Sequence, residues 1–353
     1  MSALELPFLK NIGLMLTYKC TTACPHCIVK AGPHRTEEVL IKNAVNWIEQ
    51  AATYRAGHIK GLALTGGEPF YNLDLLRRIS DFGDELGMVV SVVSNAFWAT
   101  SKPAAVQVLT SVPAIRMISL STDVYHQKTI SFDHVVNAIE AAEECGLSYS
   151  VAVCTDRIDD IEYKKTLTKL SKIIDEDKIR ISIAFPVGRA EKLLKDSNYD
   201  TSSEPCVSAC TMGSSPIIFP DGNVFACIGP VLTLKNKHPL LLGNVYEEPL
   251  ETILDRAESN LLLHAIRIWG PRKLVAALKK EGYSNLLPDE YIEDCVCDAC
   301  YKLMSNDRIL DCLINISEDT DFIEKVAYGR VYFLNESRMA KTFIADGILT
   351  AEQ

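Results

Sequence analysis

At 353 residues, 48% hydrophobic and 23% charged, the chain is long enough to bury a large core, and it suggests two domains or one large domain with an appendage. A formal net charge of -10 argues against a polyanionic nucleic acid as the main partner. There is no basic-then-apolar signal at the N-terminus and no apolar run near the roughly 20 residues of a membrane span, so a cytoplasmic protein without membrane partners is expected.

Ile12–Thr17 is an apolar run that reads as a strand. Helical spacing follows from Glu37 to Tyr54, then an apolar strand Ile59–Leu64 ending in Thr65-Gly66-Gly67-Glu68-Pro69. Helix and strand then alternate. Leu73–Leu86, Lys102–Leu109, Phe132–Cys145 and Ile161–Ile174 read as helices, and Met88–Val93, Ile115–Leu120, Leu147–Val153 and Ile179–Ala184 as strands. Near-continuous apolar strands are buried on both faces, the mark of a parallel sheet. Six such βα units predict an α/β fold, a curved sheet or (βα)6 partial barrel. Its chemistry would gather at the C-terminal ends of the strands.

The pattern changes after Phe185-Pro186-Val187-Gly188-Arg189, and 195–205 reads as a linker. Pro216–Phe219 and Asn223–Ala226 flank a turn, Pro220-Asp221-Gly222. One helix is expected from Pro249 to Ile268, others over Leu274–Lys280 and Asp319–Tyr328. The expected divisions are 1–195, 196–316 and a helical tail, 317–353.

Twelve cysteines without a secretory signal read as metal or redox ligands rather than disulfides. Cys20, Cys24 and Cys27, spaced C-x3-C-x2-C, lie on the loop after the first strand. Thiolates favour iron–sulfur clusters, Zn²⁺ or Cu(I). Three of them leave one position open, and a cubane cluster held this way keeps one iron free for an exogenous ligand. The glycines of Gly66-Gly67-Glu68-Pro69 let the backbone approach a ligand, and Glu68 adds negative charge. Ser94, Asn95, Ser121 and Asp123 follow the third and fourth strands. Asp123, Tyr125 and His126 form a group able to hold or deprotonate a substrate, or else a helix cap beside an exposed histidine. Cys145 and Cys154 read as structural.

The three-cysteine loop with Gly66-Gly67-Glu68-Pro69 resembles the radical S-adenosylmethionine superfamily, over roughly residues 11–190. The resemblance implies a [4Fe–4S] cluster on Cys20, Cys24 and Cys27. It implies S-adenosylmethionine held by Gly66, Gly67, Glu68, Ser94, Asn95, Ser121 and Asp123. It also implies an external electron donor such as flavodoxin or ferredoxin. The reaction would be reductive cleavage of S-adenosylmethionine to a 5′-deoxyadenosyl radical that takes a substrate hydrogen.

Cys206, Cys210, Cys227, Cys295, Cys297, Cys300 and Cys312 form a second group. With the Gly222-x4-Cys227 hairpin they resemble SPASM and Twitch auxiliary-cluster domains, which implies at least one further [4Fe–4S] cluster, on Cys210, Cys227, Cys297 and Cys300. Cys206 replacing Cys210 or joining it as a ligand is the variant of that set; a second cluster would need Cys206, Cys295 and Cys312 or a shared open site, and structural zinc is the alternative for the whole group. The resemblance implies modification of a ribosomally made peptide by a thioether or carbon–carbon crosslink. With the motif beginning at residue 20, a separate leader-binding protein or a leaderless substrate is expected. The other readings are oxidation of a small molecule such as an aminosugar alcohol, peptide epimerisation, or a non-enzymatic electron carrier or zinc module.

Overall fold

The computed structural model describes residues 8–336 apart from 195, 196, 198 and 211. Part of the expected linker and the end of the expected tail lie outside the described residues. The chain divides into two compact units, Asn11–Tyr199 with Ile217–Asn223, and the remainder.

The first unit is built on six parallel strands in sequential order. They are β1 (Asn11–Met15), β2 (Gly61–Thr65), β3 (Val89–Ser94), β4 (Ile115–Ser121), β5 (Ser148–Thr155) and β6 (Ile179–Ile183). The crossovers carry helices α1 (Ile41–Gly57), α2 (Leu73–Glu85), α3 (Lys102–Thr110), α4 (Phe132–Glu144) and α5 (Ile161–Leu170). Neighbouring strands in order, each joined by a helix, make the (βα)6 arrangement the sequence predicts. The core lies between sheet and helices: Leu62, Leu64, Val90, Val92, Ile118, Leu120, Val151 and Val153 are buried, as are Trp47, Ile48, Leu76, Ile79 and Ile139. Alternate residues of the middle strands, such as Ser91, Ser119 and Ser150, are short and only partly covered, on the face opposite the helices.

Two boundaries differ from the sequence reading. Helix α1 begins at Ile41, not Glu37, because residues 37–39 run alongside the extension of β1: Tyr18 N–H donates to Glu37 O at 2.9 Å and Val39 N–H to Leu16 O at 2.8 Å. The expected hairpin arm at Ile217–Ile218 also lies parallel to β1, pairing with Gly13 and Leu14. Gly13 suits that approach, since a Cβ there would sit 3.1 Å from Ile217. The turn is as expected, with Phe219 N–H donating to Asn223 O at 2.9 Å and Gly222 in the left-handed region.

The second unit is mainly helical. The single helix expected over 249–268 is two, Leu250–Glu258 and Leu261–Trp269. Asn260 interrupts it by capping the second: its Oδ1 accepts from Leu263 N–H at 2.9 Å and its Nδ2 donates to Pro239 O at 2.8 Å. The remaining helices are Pro271–Lys280, Val296–Met304, Asp307–Ser317 and Thr320–Tyr332. Glu258 is buried and accepts the Phe8 and Leu9 N–H groups at 3.0 and 3.1 Å.

Replacing Asn260 by Ala removes the cap and the Pro239 bond. Urea unfolding should show a loss of about 1–2 kcal/mol, with bound iron unchanged.

Candidate active site

The thiol loop is built by main chain. Beyond Met15 the first strand continues as an extended segment: Leu16 N–H donates to Thr65 O at 2.8 Å, Gly67 N–H to Thr17 O at 2.6 Å, and Glu68 N–H to Lys19 O at 2.9 Å. Cys20 N–H reaches Gly32 O at 3.2 Å, and Cys27 N–H closes a turn on Cys24 O at 3.2 Å. Cys20, Cys24 and Cys27 thereby share one pocket at the C-terminal ends of the strands with Gly66, Gly67, Ser94, Asn95, Ser121 and His126. The pocket has a volume of about 160 Å³. Thr22 Oγ1 lies 3.5 Å from Cys20 Sγ and 3.1 Å from Cys24 Sγ, and Asn95 Nδ2 donates to Cys20 Sγ at 3.6 Å. Burial pushes the Cys20 thiol up. Burial acts on Cys24 in the same sense, but hydrogen bonding to His126 and Thr22 outweighs it and leaves this thiol below its ordinary value.

The glycines answer first to the protein. A Cβ on Gly66 would lie 2.7 Å from Thr17 O, and one on Gly67 would collide with Lys19 O. They permit the β2 loop to dock on the thiol loop, where the sequence reading had them admitting a ligand. Glu68 is fully buried, and its carboxylate does not face the pocket. It accepts from Phe70 N–H at 3.1 Å, Ser94 Oγ at 2.9 Å and Asn95 N–H at 2.8 Å, and so ties the β2 loop to the β3 loop. Burial raises it to about 7 against the pull of those donors. Ser94 Oγ also accepts from Ala96 N–H and Trp98 Nε1–H, at 3.1 and 2.9 Å, so its hydrogen-bonding capacity is filled by protein.

Buried Asp123 and half-buried His126 form a pair, with Nδ1 and Oδ2 2.8 Å apart. The other Asp123 oxygen accepts the Tyr125 and His126 N–H groups at 2.9 and 3.0 Å, so the expected cap is present, but the histidine beside it is not exposed. Burial lowers the basicity of His126, yet Asp123 and Cys24 raise it to about 10. Tyr125 points elsewhere: its hydroxyl donates to Asp156 at 2.6 Å, and its ring is buried with Ala184, Ala190 and Leu194. His26 is a spacer in the cysteine motif. It stacks on Tyr125 at 4.5 Å, lies 3.8 Å from Asp123, and is held near 4 by burial. Among the described residues, His26, Asp123 and His126 are the one trio of His, Cys, Asp or Glu with ligand atoms within 4.8 Å of one another.

In the second unit, Cys297 and Cys300 lie three apart on the helix Val296–Met304 and so share a face. A Cβ on Gly229 would stand 3.5 Å from Cys227 Sγ and 3.7 Å from Cys297 Sγ. Burial raises the Cys227 and Cys295 thiols to about 11 and Cys297 and Cys300 further. Cys210 contributes to the shifts of Cys227, Cys297 and Cys300, and Cys206 to that of Cys295. Cys312 is on the helix Asp307–Ser317 and lines a separate pocket, with Lys273, Lys280 and Lys325 and no other cysteine.

Truncating Glu68 to Ala leaves three buried donors without their acceptor. Stability should fall by about 3 kcal/mol in chemical unfolding, with Glu68→Gln, which keeps one acceptor oxygen, losing less than half of that.

A family model described as "Radical SAM superfamily" matches residues 14–170. YydG of Bacillus subtilis (strain 168), whose name assigns it to peptide biosynthesis, is 23% identical over 307 residues, 84% of this chain and 92% of its own. Two solved structures resemble the chain more distantly. BtrN, crystallised with AdoMet and 2-DOIA, matches at 14% identity and a TM-score of 0.40, over 76% of this chain and 89% of its own. Methylornithine synthase (PylB) matches at 18% and 0.40, over 50% and 54%. Residues 14–170, the part of the chain that runs from the end of β1 to α5 and carries the thiol loop, are thus similar to the Radical SAM superfamily.

Proposed function

We propose that the protein is a radical S-adenosylmethionine enzyme that modifies a peptide. The observation carrying this is the single pocket in which Cys20, Cys24 and Cys27 meet Gly66, Gly67, Asn95 and Ser121 at the strand ends. The donor set fits a cluster: three thiols with one ligand position left over, Thr22 Oγ1 in hydrogen-bonding reach of Cys20 and Cys24 Sγ, and Asn95 Nδ2 donating to Cys20 Sγ. When bound, the cluster and S-adenosylmethionine supply a 5′-deoxyadenosyl radical that takes a hydrogen atom from a substrate C–H bond. The chain's own residues do the positioning. Cys20, Cys24 and Cys27 hold the cluster. The carbonyls around Gly66 and Gly67 would hold the ammonium of S-adenosylmethionine, and Asn95 and Ser121 would hold its polar groups. Glu68 and Ser94 act from behind, by fixing the loops that carry these contacts. His126, steadied by Asp123, faces the pocket beside Cys24. Tyr125, with its hydroxyl on Asp156, serves the fold.

The peptide substrate rests on the likeness to YydG, whose name places it in peptide biosynthesis. Crosslinking is our reading of the product. Cys210, Cys227, Cys297 and Cys300 form a SPASM/Twitch-like site for one auxiliary [4Fe–4S] cluster. Cys227, Cys297 and Cys300, all raised by burial, are unfavourable as bare thiolates, and a metal centre relieves that. Held there, such a cluster would supply an electron acceptor for the oxidation of a product radical. A flavodoxin or ferredoxin would supply the reducing electron.

The test is to incubate the reduced, reconstituted protein with peptides encoded by short reading frames beside its own, deuterated at candidate C–H positions. Deuterium in 5′-deoxyadenosine with a matching mass loss from the peptide is expected, and cleavage with no peptide change in any of them counts against the substrate class. The triple variant Cys20→Ala, Cys24→Ala, Cys27→Ala should retain about four irons and four sulfides per chain, whereas zinc in their place would contradict the auxiliary cluster.

A further inference from the structure

One residue outside every motif reaches into the thiol loop. Arg189 stands beyond β6, more than 160 positions along the chain from Cys24. Its Nη1 donates to Cys24 O at 2.7 Å, its Nη2 to Ala31 O, and its own main-chain N–H to Cys27 O at 3.0 Å. Three carbonyls of the loop are thus gripped from one side, two of them belonging to the presumptive ligands themselves. Gly188 makes the approach possible. It sits at φ +63°, and a Cβ there would collide with Ile28 O. No side chain fits between this segment and the loop. The loop does little for itself: within residues 20–31 its internal main-chain bonds are Cys27 N–H to Cys24 O and Lys30 N–H to Cys27 O, at 3.2 and 3.3 Å. The same two oxygens that receive those bonds receive Arg189.

We infer that Gly188–Arg189 is a clasp of the radical cluster's site, with Arg189 a positioning residue that holds the Cys24–Ala31 turn in its ligating shape and sets a positive charge on the main chain of the thiol loop. Two consequences follow from elementary chemistry. A loop held by a planar, five-donor guanidinium is pre-organised, so less ordering is left for cluster binding. A cation held in the loop stabilises the more negative, reduced state of a thiolate-bound cluster, and so raises its potential. The inference rests on the reading that Cys20, Cys24 and Cys27 hold the cluster.

Full-length wild type, Arg189→Ala and Arg189→Lys are compared in two ways. In the apoprotein, amide hydrogen exchange over residues 24–31 should quicken on the order of tenfold in Arg189→Ala, with peptides from β2 to β4 unchanged. After anaerobic reconstitution, the electron paramagnetic resonance signal that responds to S-adenosylmethionine should fall several-fold in Arg189→Ala, and its midpoint potential should move to more negative values. Arg189→Lys keeps the charge but loses the paired grip. It should hold a potential near wild type while its loop still exchanges faster. Wild-type exchange in the loop of either variant, or a wild-type potential in Arg189→Ala, overturns the clasp. Should Arg189→Ala fail to fold, Arg189→Lys alone decides through its loop exchange. If wild type shows no signal that depends on Cys20, Cys24 and Cys27, the cluster reading fails, and the exchange result still decides whether Arg189 holds the loop.

Discussion

The site depends on one main-chain contact, the seating of Gly66–Glu68 against Thr17–Lys19. Gly67 N–H and Glu68 N–H donate to Thr17 O and Lys19 O, and neither glycine has room for a methyl group. This docking sets where the thiol loop leaves the sheet. The Glu68 carboxylate then carries the constraint one strand further, through Ser94 and the Asn95 N–H. A buried carboxylate with three donors is rigid because moving any one of them strands a polar group in the core. The loops after β1, β2 and β3 therefore behave as one body. Their exposed functional groups, the thiols, the Asn95 amide and the loop carbonyls, are what is left facing the pocket.

That arrangement divides the motif residues by role in a way that spacing alone does not reveal. Gly66-Gly67-Glu68-Pro69 looks like a ligand cradle in sequence, yet its side-chain chemistry is directed inward. The ligand-facing part is the backbone that these residues hold in place. The Asp123–His126 pair is similar. Asp123 ends a loop as a cap and orients an imidazole, and only the imidazole reaches the pocket.

Much of this was legible in the chain. Continuous apolar strands separated by amphipathic helices can be buried in few ways, so the (βα)6 order followed from Leu62, Val90, Ile118 and Val151 and their neighbours. Cys20, Cys24 and Cys27 were legible because a local spacing carries their chemistry. What escaped was set by distant partners. Residues 37–39 have helical spacing but pair with the extension of β1. Asn260 interrupts an apolar periodicity that reads as unbroken, because its amide also finds Pro239 O. Arg189 bears no local mark at all; its carbonyl partners lie some 160 residues away. In the second unit the helices Val296–Met304 and Asp307–Ser317 were hidden by their cysteines, which drew attention to spacing in place of periodicity.

The most direct test is whether the pocket cleaves S-adenosylmethionine. The protein, reconstituted with iron and sulfide without oxygen and then reduced, should convert S-adenosylmethionine to 5′-deoxyadenosine and methionine. Replacing Cys24 alone by Ala should abolish that conversion while the second unit keeps its metal. A fully reconstituted, reduced protein that forms no 5′-deoxyadenosine, or a Cys24→Ala protein that forms it at the wild-type rate, would contradict the account.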